Sequence, residues 1–211
     1  MSEPLEGFTV VELASAVQGP AAGLYLRDMG AELLKVEPPI GDSSRHGRNR
    51  NNETPEGTYG PQFVAVNRGK RSLSIDLTTA LGKKALHRLL EQADVLLTNY
   101  RMPALKKLGF DYETLHSIYP DLIYANVNGF GPEGPDADKA MLDGAAVARG
   151  GMLSLTGKKG ELPVLLGSVV GDTGGAMQLA LGVLTALLAR ERHGGGQKVS
   201  VSGLGAQLWS Q

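Results

Sequence analysis

A strand, a helix and a second strand follow one another within the first thirty-seven residues, and this succession limits the fold more than any other feature. Phe8-Thr9-Val10-Val11-Glu12-Leu13 reads as a short buried strand. A turn at 14–20 leads into a helical pattern over 21–29, which Gly30 closes as a C-terminal cap. Residues 31–37 form a second strand, stopped by Pro38-Pro39. A helical crossover of this kind joins parallel strands, so the chain begins with a βαβ unit. The alternation continues with strands expected at 72–77, 94–100 and 122–128. Between them lie a helix capped by Thr78 or Thr79, with Leu81, Ala85, Leu86, Leu89 and Leu90 on one face, and short helices at 104–108 and 112–118. The fold class that follows is α/β: an open, mostly parallel, Rossmann-like sheet with flanking helices. Ligands of such sheets sit beyond the carboxyl ends of the strands. Here those ends are Glu12 to Gln18, Glu37, Asp76 to Thr78, Asn99 to Arg101 and Asn128 to Gly131.

The connecting segments carry two further expectations. Residues 40–61 are polar, with Arg45, Arg48 and Arg50, and read as a long loop whose arginines are either solvated or available to phosphate or carboxylate groups. Asn67-Arg68-Gly69-Lys70-Arg71 reads as a basic turn, either solvated or set against an anionic ligand. Beyond a polar loop at 132–139, residues 140–148 can be helical, and the longest helical pattern runs from about 173 to 191. Met177, Leu181, Leu184 and Leu188 line one side of it and Leu179, Val183 and Leu187 another, which predicts a long buried helix. A last strand is expected at 198–202.

Composition narrows the class of partner. The 211 residues carry a formal net charge of −1, which gives no reason to expect a nucleic acid or an anionic membrane. No cysteine is present, so disulfides and thiolate metal sites are excluded, and the four histidines have no metal-ligand spacing. The apolar run 177–189 is short for a bilayer span, and the acidic first residues are unlike a signal peptide. A cytoplasmic soluble protein is the expectation.

Gly171-Asp172-Thr173-Gly174-Gly175 stands between an apolar run and the long helix. Asp172 reads in two ways. It is an N-cap that accepts from the first free N–H groups of the helix, or a carboxylate nucleophile at a helix N-terminus, with glycines that let a thioester approach the backbone. The readings are compatible, because one oxygen can cap while the other attacks.

An α/β sheet also invites a nucleotide-binding dehydrogenase, with Glu37 near the place of a ribose-binding acid. Gln18-Gly19-Pro20-Ala21-Ala22-Gly23 lacks the G-x-G-x-x-G fingerprint, and Pro20 stands where a phosphate-cradling amide is needed. Glu37 is better read as a strand-end residue.

Several stretches, in order along nearly the whole chain, resemble the family III CoA-transferases, which include the formyl-CoA and carnitine CoA-transferases and the related α-methylacyl-CoA racemases. They include Gly30-Ala31-Glu32-Leu33-Leu34-Lys35-Val36-Glu37, Asn67-Arg68-Gly69-Lys70-Arg71-Ser72, Leu108-Gly109-Phe110, Gly171-Asp172 with Gly174-Gly175, and Arg192-His193-Gly194-Gly195-Gly196-Gln197-Lys198-Val199. The resemblance implies a transferase of acyl-CoA metabolism that moves CoA between an acyl-CoA and a carboxylic acid. Asp172 is then the catalytic residue, acting through an aspartyl anhydride and an aspartyl-CoA thioester, with no tightly bound cofactor and a coenzyme A thioester as substrate. It implies CoA contacts at Gln18, at Ile75, Asp76, Leu77 and Thr78, at Asn99, Tyr100 and Arg101, and at Lys107, with Asp143 as an acidic neighbour of the nucleophile. Pro38 replaces an arginine that contacts CoA in some members, and Leu142 stands where the racemases have a histidine. Members run to about twice this length, so residues 1–211 match the N-terminal large domain, with the C-terminal small domain absent. The resemblance implies a homodimer or a complementary C-terminal half as partner. The alternatives are a CoA-binding fragment that is non-catalytic or depends on a partner, a racemase-like enzyme, and the NAD-binding dehydrogenase.

Overall fold

A computed structural model describes residues 3–47 and 58–211. Arg48 and Arg50, two of the loop arginines, lie outside the described residues. Six strands form one sheet: β1 (Thr9–Leu13), β2 (Glu32–Glu37), β3 (Arg71–Ser74), β4 (Val95–Thr98), β5 (Ile123–Asn128) and β6 (Lys198–Ser202). Their order is β3-β2-β1-β4-β5-β6, and every neighbouring pair is parallel. The chain therefore reverses its direction of travel across the sheet between β1 and β4, leaving a crevice beyond their carboxyl ends.

Side-chain alternation sends successive residues to opposite faces. Val10, Leu33, Leu97 and Ala125 pack on one face with α1 (Gln18–Asp28) and α7 (Val170–His193). Val11, Val36, Leu96 and Tyr124 pack on the other. There α3 (Ala80–Leu90), α4 (Met102–Leu108) and α5 (Tyr112–Ile118) supply Leu86, Leu90, Leu105 and Leu115. Thr79 caps α3, its hydroxyl accepting the Gly82 N–H at 3.0 Å. Leu81, expected on the core face of α3, is instead 78% exposed, because it stands in the first turn before the helix meets the sheet.

The expectations for 40–61 and for the turn at 67–71 change. A helix, α2 (Pro61–Asn67), follows the loop, with Pro61 in its first turn, where the missing N–H costs no bond. Arg45 is neither solvated nor free. It holds both oxygens of Glu37 at 2.6 and 2.7 Å and stacks on Phe63 at 4.1 Å from the ring centre. In the basic turn, Arg68 pairs with Asp28, Arg71 pairs with Glu32, and Lys70 is buried against Glu12 at 2.7 Å.

Beyond β5 come α6 (Asp143–Arg149) and, after α7 and β6, α8 (Gly203–Trp209). Helix α7 is the one helix among the described residues long and apolar enough to cross a membrane. Ala176, Leu179, Ala180, Val183 and Leu187 pack in the core, while Met177, Leu181 and Leu188 are more than half exposed. The helix predicted to be buried is covered on one side only.

Candidate active site

Helix α7 begins three residues earlier than its pattern suggests. Val169 is its N-cap residue and offers no side-chain cap. Asp172 therefore lies inside the first turn, and the reading of it as an N-cap is overturned. The capping is done from another helix: Oδ1 of Asp143 accepts the Asp172 N–H at 3.0 Å. Gly171 makes this approach possible, since a Cβ there would come within 3.0 Å of both the backbone oxygen and Oδ1 of Asp143.

Capping by Asp143 leaves the Asp172 carboxylate itself without a hydrogen-bond donor or a cation among the described residues. Burial, and then the neighbouring charge of Asp143, push its pKa up from 3.8 to about 6. The group is thus ionised at neutral pH yet more basic than an ordinary aspartate.

The carboxylate opens into a cavity of about 850 Å³ beyond the carboxyl ends of β1, β4 and β5. Gln18, Asn99, Arg101 and Asp143 also line it. Gln18 is 7% exposed, and its Nε2 has no hydrogen-bond partner. The amide lies over the first turns of α7 because Gly175 has no side chain; a Cβ there would stand 2.6 Å from Nε2. Gly174 faces Gln207 and Ala206 of α8. The glycines after Asp172 thus admit protein groups, where the sequence pattern suggested an approaching thioester.

The remaining predicted residues are not brought to this cavity. Tyr100 lines a separate hollow of about 290 Å³ with Glu37, Pro38 and Asp42. Leu77 is in the core beneath α3, and Ile75 packs against the same cluster. Asp76 and Thr78 form the exposed turn before α3, with the Thr78 N–H donating to Asp76 at 2.9 Å. Lys107 is exposed and lines neither hollow; Lys106 of the same helix lines the larger one. The turn at 67–71 also lines neither.

Sequence reasoning passed over the mixed charge of the lining, where Lys106, Lys139 and Lys198 join Arg101 and Glu113, Glu133 and Asp138 join the two aspartates, and it passed over Met141. It also passed over a buried charge cluster behind the cavity. Lys35 holds Glu12 at 3.0 Å and Asp42 at 2.9 Å, and Lys70 holds the other oxygen of Glu12 at 2.7 Å. The signal there was a lysine and a glutamate on the inward positions of two strands otherwise apolar.

Glu37 is the strand-end residue that the sequence suggested, closed off by Arg45, Ser72 and the Asp42 N–H. The dehydrogenase reading loses its ribose ligand with it, and Pro20 lies inside α1.

The family model described as CoA-transferase family III matches residues 5–211. The chain is 39% identical to the cinnamoyl-CoA:phenyllactate CoA-transferase of Clostridium sporogenes, over 93% of this chain and 48% of that protein. It is 35% identical to the formyl-CoA:oxalate CoA-transferase of a Bradyrhizobium species, over 96% of this chain and 47% of that protein. The crystal structure of a CAIB/BAIF family protein from Brucella suis superposes with a TM-score of 0.92 at 35% identity, covering 99% of this chain and 55% of that one. The chain thus spans about half the length of these relatives. With the parallel sheet, the cavity at its reversal point and this similarity together, the chain belongs to the family III CoA-transferases.

Proposed function

We propose that Asp172 is the nucleophile of a CoA transfer between an acyl-CoA and a carboxylic acid. The observation that carries this is the unpaired carboxylate in the first turn of α7, raised to about 6 and open to the cavity. An Asp172 oxygen attacks the thioester carbonyl, the C–S bond breaks, and CoA leaves as thiolate with a mixed anhydride behind. The thiolate then attacks the aspartyl carbonyl, giving an aspartyl-CoA thioester and the free donor acid. An acceptor carboxylate attacks that thioester, forming a second anhydride. The returning thiolate takes the new acyl group and frees Asp172. Thioester is exchanged for thioester, so the balance calls for no ATP, metal or redox group.

Each charged intermediate has a supporting group in this reading. The positive end of α7 favours the anions that form at Asp172. The unpartnered amide of Gln18 donates to the carbonyl oxygen as it gains charge. Arg101, Lys106 and Lys198 supply cations along a cavity wall that also carries Glu113, Glu133 and Asp138, and these cations are available to the phosphates of CoA and the acceptor carboxylate; Lys139 is held by Asp136. Racemisation is disfavoured because it needs proton carriers on both faces of an α-carbon, and Leu142 carries none.

We place the enzyme in the cytoplasm. Residues 1–211 act as its large domain, in a dimer or with the further length that the relatives have. The apolar side chains of Met177, Leu181, Leu188 and Trp209, all more than half exposed, are what such a second body would cover. The test is CoA exchange between two carboxylates, followed with isotopically labelled acid. Asp172→Ala should reduce it by roughly a thousandfold or more, with the fold retained by circular dichroism. Undiminished exchange would remove Asp172 from the mechanism.

A further inference from the structure

Ala16 is the one non-glycine residue among the described residues with a positive φ, +62°. That conformation is unfavourable for a residue with a Cβ, and it persists only where surrounding groups impose it. Three side chains do so. Lys35 Nζ donates to the Ala14 carbonyl at 2.8 Å. Asn99 grips Ser15 at both ends, accepting its N–H at 3.0 Å and donating to its carbonyl at 2.8 Å. Asp42 Oδ1 accepts the Ala16 N–H at 3.3 Å.

Asp42 is itself fixed from several sides. Its Oδ1 accepts the Ser44 N–H at 2.9 Å and the Ser44 hydroxyl at 2.7 Å, and its Oδ2 meets Lys35 at 2.9 Å. Lys35 is 1% exposed and is anchored in turn on Glu12. Gly23 of α1 admits this cluster, since a Cβ there would fall 2.1 Å from Glu12 Oε2. Burying such charges gains little stability over apolar packing. Here their bonds converge on one strained turn, and two residues beyond Ala16 stands Gln18, whose side chain lines the cavity and whose Nε2, buried against Gly175, is unpartnered.

We infer that Asp42 and Lys35 are positioning residues: they hold Ala16 in the left-handed conformation and so aim the Gln18 amide at the reacting carbonyl beside Asp172. The inference rests on the proposed CoA transfer for its functional half. Its structural half stands on the hydrogen bonds alone.

The two halves are tested together. Asp42→Ala removes the acceptor for Ala16 and leaves Lys35 paired with Glu12. The turn should relax and kcat for CoA exchange should fall on the order of tenfold to a hundredfold, with the KM for acyl-CoA changed far less. Adding Ala16→Gly supplies a residue that takes positive φ without strain. The double variant should recover a large part of the lost kcat while keeping the lowered melting temperature of Asp42→Ala. A purely structural Asp42 would give the two variants the same kcat per folded molecule, and that result, or an undiminished kcat in Asp42→Ala, overturns the inference. Amide hydrogen exchange without substrate is the second arm. Ala16 should lose protection in Asp42→Ala while Val10 and Val11 keep theirs; equal protection at Ala16 would overturn the positioning claim. Absence of CoA exchange in the unaltered protein would instead overturn the reading of the site, and the protection arm would still decide whether Asp42 holds the turn.

Discussion

A cluster of buried acids and a half-buried pair lie within this fold and are treated in opposite ways. Beneath α1 every carboxylate meets a cation: Glu12 has Lys35 and Lys70, Asp42 has Lys35, and Glu37 has Arg45. Burial alone would push Glu37 up, yet Arg45, Ser72 and the Asp42 N–H bring it down to about 2. At the start of α7 the nearest charged partner of Asp172 is another acid, Asp143, and burial carries Asp172 up to about 6. The first group is paired and fixed in place. Asp172 is left unpaired and more basic than an ordinary aspartate, which suits a nucleophile.

The largest effect should come from breaking the paired region. Lys35→Met leaves Asp42 without its cation and Glu12 with one of two, and should destabilise the fold by about 3–5 kcal/mol in urea unfolding.

At the unpaired region the sign reverses. The folded state holds Asp172 at about 6, against 3.8 as its ordinary value. Below that ordinary value both states are protonated and the group adds nothing. Between the two values only the folded state keeps the proton, so stability falls as pH rises. Above about 6 the full penalty is present. Asp172→Asn should therefore unfold later than the unaltered protein at about pH 8, by on the order of 1–3 kcal/mol, and the two curves should converge near pH 4. A destabilised Asn variant at high pH would contradict the unpaired environment.

The smallest effect sharpens the comparison from outside both regions. Arg71 and Glu32 form an ion pair with side chains 73% and 50% exposed. Arg71→Ala should shift the unfolding midpoint by an amount equivalent to less than about 1 kcal/mol. It should also leave the KM for acyl-CoA unchanged, since that turn lines neither hollow.

The sheet was legible because strand, helix and cap signals are local. Gly30, with φ of +105°, closes α1, and residues 112–118 are helical as their pattern indicates. Helix α2 was obscured because seven residues after a polar loop are too short to show a period. The start of α7 was misplaced because its first turn contains Val170 and Gly171, and its capping group, Asp143, lies 29 residues earlier in the chain. The charge cluster escaped for the same reason: Glu12 meets Lys35 across 23 residues and Lys70 across 58. Asp172 itself could be singled out from its glycines. Its unpaired state could not, because the absence of a cation around a side chain is a property of packing.

The central claim is that this unpaired carboxylate attacks a thioester. The most direct measurement is intact mass after mixing the protein with an acyl-CoA, followed by hydroxylamine and peptide mapping. A covalent adduct should form that hydroxylamine converts to a hydroxamate at Asp172, and none should form in Asp172→Asn. An adduct on another residue, or CoA exchange with no modification of Asp172 at any time during turnover, would contradict it.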